Sequence, residues 1–362
     1  MSHFEKILNL KNFKTEEIIF LLKLKGDERL QLLQKAQKIK EENVGNKVFF
    51  RGLIEFSNRC SKDCLYCGIR KSNEKVVRYN VSDDEILDAC RFAWEKGFGS
   101  VVLQSGEVSS KEFVKRVDKL LQKIKQLSNN ELGITLSCGE QTMGTYKRWF
   151  ESGAHRYLLR IESSNRELYY KIHPENKIHS FENRIESLYN LRETGYQTGT
   201  GVMIGLPFQT AEDLAEDLLF FKKMDIDMCG MGPYIEHENT PLFQFKHLLK
   251  TKQERFSLAL NMIAVLRLLM PDINIAAATA LEAIDPFGRE KALNAGANII
   301  MPNITPHQYL ENYLLYENKP IQGEDKNQSI SELENRLKKS GNEIGYNSWG
   351  DSKHFKSSKH TV

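Results

Sequence analysis

Phe56-Ser57-Asn58-Arg59-Cys60-Ser61-Lys62-Asp63-Cys64-Leu65-Tyr66-Cys67-Gly68 is the stretch from which the fold is read. Three of the chain's six cysteines fall within it, spaced Cys-x3-Cys-x2-Cys, directly after a β-like run. A short loop with thiolates at those offsets can wrap three corners of a cubane iron–sulfur cluster, and three ligands for four irons leave one iron open. An open iron can chelate a small ligand, just as an open coordination position makes a metal site catalytic rather than structural. Other readings fit less well. Zinc wants a fourth local ligand, and the next cysteine, Cys90, lies inside a predicted helix. A disulfide needs an oxidising compartment, which nothing here indicates. A cluster that only carries electrons is normally ligated in full by protein side chains.

The same motif, closing on the aromatic–cysteine pair Tyr66-Cys67, resembles the signature of the radical S-adenosylmethionine (SAM) enzymes. The resemblance implies that Cys60, Cys64 and Cys67 hold a 4Fe–4S cluster and that the amino and carboxylate groups of SAM chelate its open iron. One electron then breaks the S–C5′ bond to give a 5′-deoxyadenosyl radical. Chemistry of that kind belongs to the cofactor, and the protein orients it and excludes side reactions.

Outward from the loop, the chain reads as an ordinary globular protein: 362 residues, 40% hydrophobic and 27% charged. A net charge of +3 argues for neither nucleic acid nor an anionic membrane as partner. No apolar run approaches the ~20 residues of a membrane span, and Met1-Ser2-His3-Phe4-Glu5 lacks a signal-peptide core, so a cytoplasmic protein is expected.

One pattern recurs along the chain: a short β-rich run, a loop, then an amphipathic helix. The β-like runs lie near 48–56, 100–104, 133–137, 156–162, 199–204, 228–232, 273–278 and 297–301. The helices between them lie near 82–97, 111–127, 141–152, 180–194, 210–223, 252–270 and 287–295. Ser82-x-x-Glu85 is a capping box, and Gly195 stands where a helix C-cap belongs. Strands alternating with helices imply a parallel sheet, and eight such units imply a closed (β/α)8 TIM-type barrel. Residues 1–45 are expected to form an N-terminal helical layer, 46–321 the barrel, and 322–362 a short helix near 329–339 followed by a polar, solvated tail.

Active sites of such barrels lie at the C-terminal ends of the strands. The expected strand ends carry the cysteine loop, Gln104-Ser105-Gly106-Glu107, Ser137-Cys138-Gly139-Glu140, Gly205-Leu206-Pro207, Gly232-Pro233-Tyr234, Ala278-Thr279-Ala280 and Pro302-Asn303-Ile304. In the fourth strand a period of two turns Tyr157, Leu159 and Ile161 toward the helices and Arg160 and Glu162 into the barrel. Unpaired charge is expensive there, so the two either pair structurally or serve a ligand; at this rim a functional role is preferred.

Further strings narrow the resemblance to the HydE family of FeFe-hydrogenase maturases: Arg51-Gly52-Leu53-Ile54-Glu55, Val102-Leu103-Gln104-Ser105-Gly106-Glu107, Tyr157-Leu158-Leu159-Arg160, Ser180-Phe181-Glu182-Asn183-Arg184, Gly205-Leu206-Pro207-Phe208-Gln209-Thr210 and Met301-Pro302-Asn303. Methylornithine synthase and biotin synthase are near relatives. The resemblance implies SAM contacts from Tyr66, Glu107, Ser137, Glu162 and Arg184, and a substrate cavity lined by Gln104, Arg160, Thr279 and Tyr309. It further implies a cysteine-bound iron carbonyl–cyanide substrate supplied by HydG, HydF as downstream scaffold, and a reductant such as ferredoxin or flavodoxin. Some HydE proteins carry three further cysteines near the C-terminus for a second cluster. Residues 315–345 here have none, so a single cluster is expected. Lysine isomerisation and biotin synthase-type sulfur insertion remain rival reactions, and a non-catalytic iron–sulfur scaffold or electron carrier is the rival of another class.

Overall fold

The computed structural model describes residues 3–10, 12–321 and 323–358. Eight parallel strands follow one another around a ring: β1 (Lys47–Ser57), β2 (Ser100–Ser105), β3 (Gly133–Ser137), β4 (Arg156–Leu158), β5 (Gln197–Thr200), β6 (Met228–Cys229), β7 (Asn274–Ile275) and β8 (Ile299–Ile300). β8 pairs with β1, Phe49 opposite Ile299, and a bridge between Ala276 and Ile299 joins the end of β7 to β8. The ring is thus the expected (β/α)8-type barrel. Past β5 and β6 the chain pairs again, Met203–Ile204 beside Gly232–Pro233, carrying these two walls further toward the upper rim.

Most connecting helices bury one stripe, while Lys252–Leu269 is buried nearly all round. In Lys111–Leu127 the buried positions are Val117, Leu120, Leu121 and Ile124, the i, i+3, i+4, i+7 spacing of an amphipathic helix. Ser82 and Glu85 form the reciprocal capping box that starts Asp83–Glu95, and Gly195 ends Phe181–Thr194 with a left-handed φ of 100°. The fourth strand is shorter than expected. Its ladder stops at Leu158, and Glu162, at φ 66°, makes only a bridge to Val202. Tyr157, Leu159 and Ile161 are buried, although Leu159 also borders the cavity at the strand ends.

The expected N-terminal helical layer holds the helices Thr15–Leu22 and Gly26–Asn43, both packed on Lys252–Leu269. Asn261 of that last helix donates to the carbonyls of Leu22 and Leu24, so the break between the two helices is satisfied from outside.

The C-terminal segment departs most from expectation. After the helix Lys326–Lys339, β9 (Glu343–Ile344) pairs with the start of β1, and the chain then runs beneath the barrel. Gly350 O accepts from Arg51 and Asn274, Asp351 takes the Arg156 guanidinium at 2.6 Å, and the Ser352 amide donates to Gln197. Composition made this a solvated tail. In fact its polar groups are what the buried polar side chains at the floor need, and the chain continues as a helix over Lys353–Ser358. The rest of the expected tail, residues 359–362, lies outside the described residues. No helix among the described residues is long and apolar enough to cross a membrane.

Candidate active site

A cavity of about 320 Å³ opens at the C-terminal ends of the strands. The loop that follows β1 crosses its mouth and is held by its own backbone. Arg78 donates to the carbonyls of Asn58, Ile69, Arg70 and Asn73, and the fully buried Asn58 accepts from the Tyr79 amide. The end of β2 locks against it. Glu107 O accepts from the Ser61 amide, Glu107 N donates to Cys60 Sγ at 3.3 Å, and a side chain at Gly106 would strike the Arg59 carbonyl.

Cys60, Cys64 and Cys67 are free thiols, and all three border the cavity. Burial pushes the Cys64 thiol up to about 12, with Cys60 adding to the shift, and burial raises Cys67 and Cys60 as well. Burial opposes ionisation of all three thiols, and Cys60 adds to that opposition at Cys64 and Cys67, so together they bind as thiolates only around a positive centre. Among the described residues no three His, Cys, Asp or Glu side chains could hold a single metal ion. A cubane instead carries its irons at separate corners, and the N–H aimed at Cys60 Sγ is the kind of contact that tunes such a cluster. The donor set fits a three-thiolate 4Fe–4S cluster.

Beside the thiols stands a closed ring of four charges. Lys62 Nζ lies 3.0 Å from both Glu107 Oε1 and Glu140 Oε2. Arg184 lies 2.6 Å from Glu140 through Nε and 3.5 Å from Glu107 through Nη2. All four are nearly buried, and Lys62 also donates to the Ile178 carbonyl. Burial pushes Glu107 up while Arg184 and Lys62 pull it back. Burial also works against the Arg184 charge, which Glu140 and Glu107 more than restore. Along the wall, Arg160 pairs with Glu162 at 2.9 Å, and burial raises the Glu162 carboxyl despite that partner.

Of the residues expected in the site, Cys60, Cys64, Tyr66, Cys67, Gln104, Glu107, Ser137, Arg160, Glu162, Arg184 and Thr279 all border this one cavity. Tyr66 meets His173, hydroxyl to Nε2 at 3.2 Å. Gln104 sits opposite Ser137 in the β2–β3 register and donates to the Tyr313 hydroxyl. Tyr309 is not brought in. Its ring stacks on Tyr79 at 4.8 Å and its hydroxyl reaches Glu85, the cap of Asp83–Glu95. The turn His307–Asn312 carries the chain past that point, and it is Tyr313 that faces the cavity.

Lys62, Glu140, Glu55, Asn303, Tyr313 and Lys319 are the polar groups that sequence reading passed over. Glu55, 1% exposed, is held by Lys319 at 2.5 Å and by Asn303 at 2.9 Å. Most lay within strings already singled out, and the period of two in β1 places Glu55 on the same face as Leu53, both bordering the cavity.

The profile of the Radical SAM superfamily matches residues 54–221. The FeFe-hydrogenase maturase subunit HydE of Thermotoga maritima is 44% identical over 288 residues, covering 80% of this chain and 79% of its own. The 3-methylornithine synthase of Methanosarcina acetivorans is 30% identical over 342 residues, 94% of this chain and 92% of its own. Among solved structures, methylornithine synthase superposes with a TM-score of 0.75 at 25% identity, covering 96% of this chain and 98% of that one.

Proposed function

Because the chain belongs to the radical SAM superfamily and, within it, to the family of the FeFe-hydrogenase maturase HydE, we propose that it is a maturase acting on a cysteine-bound iron carbonyl–cyanide substrate. The observation that carries this reading is the juxtaposition of three half-buried thiols with a ring of four charges, three of which border the same cavity. When bound there, a single 4Fe–4S cluster and SAM supply a 5′-deoxyadenosyl radical.

The chain's own residues prepare the ground for it. Cys60, Cys64 and Cys67 hold the cluster. Glu107 accepts from the amino group of SAM and Arg184 binds its carboxylate, in charge-assisted contacts. Tyr66 packs beside the adenine, Glu162 accepts from the ribose hydroxyls, and Ser137 adds a hydroxyl donor. Deeper in, Gln104, Arg160 and Thr279 face the substrate, Arg160 offering a planar fork to an anionic ligand. In this reading HydG delivers the substrate, HydF receives the product, and a ferredoxin or flavodoxin provides the electron.

The test is anaerobic reconstitution with iron and sulfide, followed by dithionite and SAM. 5′-Deoxyadenosine forms with the wild type and is abolished by Cys64→Ala. Adding the iron–cysteine complex made by HydG changes the fate of the radical. Absence of SAM cleavage makes the chain a scaffold or electron carrier instead. One observation favours a second reading, lysine isomerisation: the likeness to 3-methylornithine synthase spans almost the whole of both chains. Turnover of lysine in the same assay would decide for it. Biotin synthase-type sulfur insertion wants further cysteines facing the cavity, whereas Cys90 is buried in a helix–strand interface and Cys138 Sγ points at the Leu103 carbonyl.

A further inference from the structure

We infer that Glu140, with Lys62, is a positioning residue for the amino-acid end of SAM: it fixes Arg184 from behind so that one face of the guanidinium stays free for the ligand's carboxylate. The inference rests on the SAM site proposed above and deepens it.

The ring has two unequal halves. Lys62, Glu107 and Arg184 border the cavity, and Glu140 does not. Arg184 holds Glu140 at 2.6 Å but Glu107 only at 3.5 Å, the longest of the four contacts. The long contact is therefore the one that opens. The amino-acid end of SAM carries an N–H donor and an anion, so it can insert between Glu107 and Arg184 with each of its two groups facing a partner of the right kind. Its amino group takes the place of the guanidinium beside Glu107, and its carboxylate takes the place of Glu107 beside Arg184.

After that exchange each protein charge still keeps a rear partner, Lys62 behind Glu107 and Glu140 behind Arg184. Neither ligand-facing group is left buried and unpaired, which would cost more than the new contact gains. One strain remains to be relieved. Arg184 Nε and Glu140 Oε1 are close but misaligned, and both are buried polar atoms without a hydrogen bond. A small rotation of Arg184 toward an arriving carboxylate is the movement that would align them.

Binding, rather than turnover, tests this. Anaerobically reconstituted protein is equilibrated by dialysis with SAM, with methionine and with 5′-deoxyadenosine, for wild type, Glu140→Gln and Glu140→Asp. Glu140→Gln is expected to weaken SAM and methionine by roughly ten- to a hundredfold, the usual effect of removing a group that orients a ligand-contacting residue. It should leave 5′-deoxyadenosine within about twofold, and Glu140→Asp should recover part of the loss. The electron paramagnetic resonance signal of the reduced cluster without SAM should match the wild type in every variant. Equal weakening of methionine and the nucleoside makes Glu140 merely structural and overturns the inference, as does unchanged SAM binding in Glu140→Gln. A wild type that binds no SAM overturns the enzyme reading along with it.

Discussion

At the scale of single residues the site is set by close approaches that a side chain would block. Gly139 sits at φ 72°, and a Cβ there would overlap the Glu107 side chain. Gly139→Ala is expected to cost about 1–2 kcal/mol from the left-handed backbone. By displacing the Glu107 carboxylate it should also slow 5′-deoxyadenosine formation on the order of a hundredfold. Thermal melts and the SAM-cleavage assay read the two effects separately; a variant that melts early yet cleaves normally would detach Glu107 from the reaction. The residues of the ring explain what the sequence could and could not say. Cysteine spacing is local, so the three thiols and Tyr66 were legible at once, and strand period placed Arg160 and Glu162. Lys62 and Glu140 were each in view, but the contact between them spans 78 positions and no periodicity announces it. Tyr309 failed for the opposite reason. The 3-10 turn His307–Asn312 has no apolar stripe to fix its phase, and a four-residue shift to Tyr313 exchanges the outer wall for the cavity.

At the scale of elements the seven helices expected between strands were legible almost to their ends because capping and 3.6-residue patterning agree, as in Ser82-x-x-Glu85 and in Lys111–Leu127, whereas the short helix Arg166–Ile172 was not foreseen. The segment beneath the barrel was not. Polar composition reads as solvated until the buried Arg51 and Arg156 that need it are seen. Its final helix is pinned by His354, whose ring nitrogens lie 3.1 Å from Asp272 and 2.7 Å from Asp225. Hydrogen bonding to Asp272 leads the effects that raise this imidazole to about 9. The group therefore binds its proton more tightly folded than unfolded. Its stabilisation is complete below the ordinary value of 6.5 and disappears as pH rises through about 9. The melting temperature of the wild type is accordingly expected to exceed that of His354→Gln near pH 6 and to converge on it by pH 10. A gap that stays constant across the range would show that the imidazolium is not what holds the helix.

At the scale of the molecule the remaining three cysteines are dispersed. Cys90 is buried in the helix Asp83–Glu95, Cys138 lies just past β3, and Cys229 lies in β6. Replacing all three with alanine should leave about four irons per chain after reconstitution, whereas replacing Cys60, Cys64 and Cys67 should remove them. Iron and sulfide analysis decides it, and loss of iron from the first variant would mean that a second centre had been overlooked. The shape of the barrel has a consequence of its own. With its lower end stoppered by the stretch from Gly350 to Ser352, the barrel is a blind well. Whatever rests at depth must have come in past the cysteine rim, and anything lodged at that rim bars the way out. Visitors to such a vessel form a queue in which the first to arrive is the last to leave.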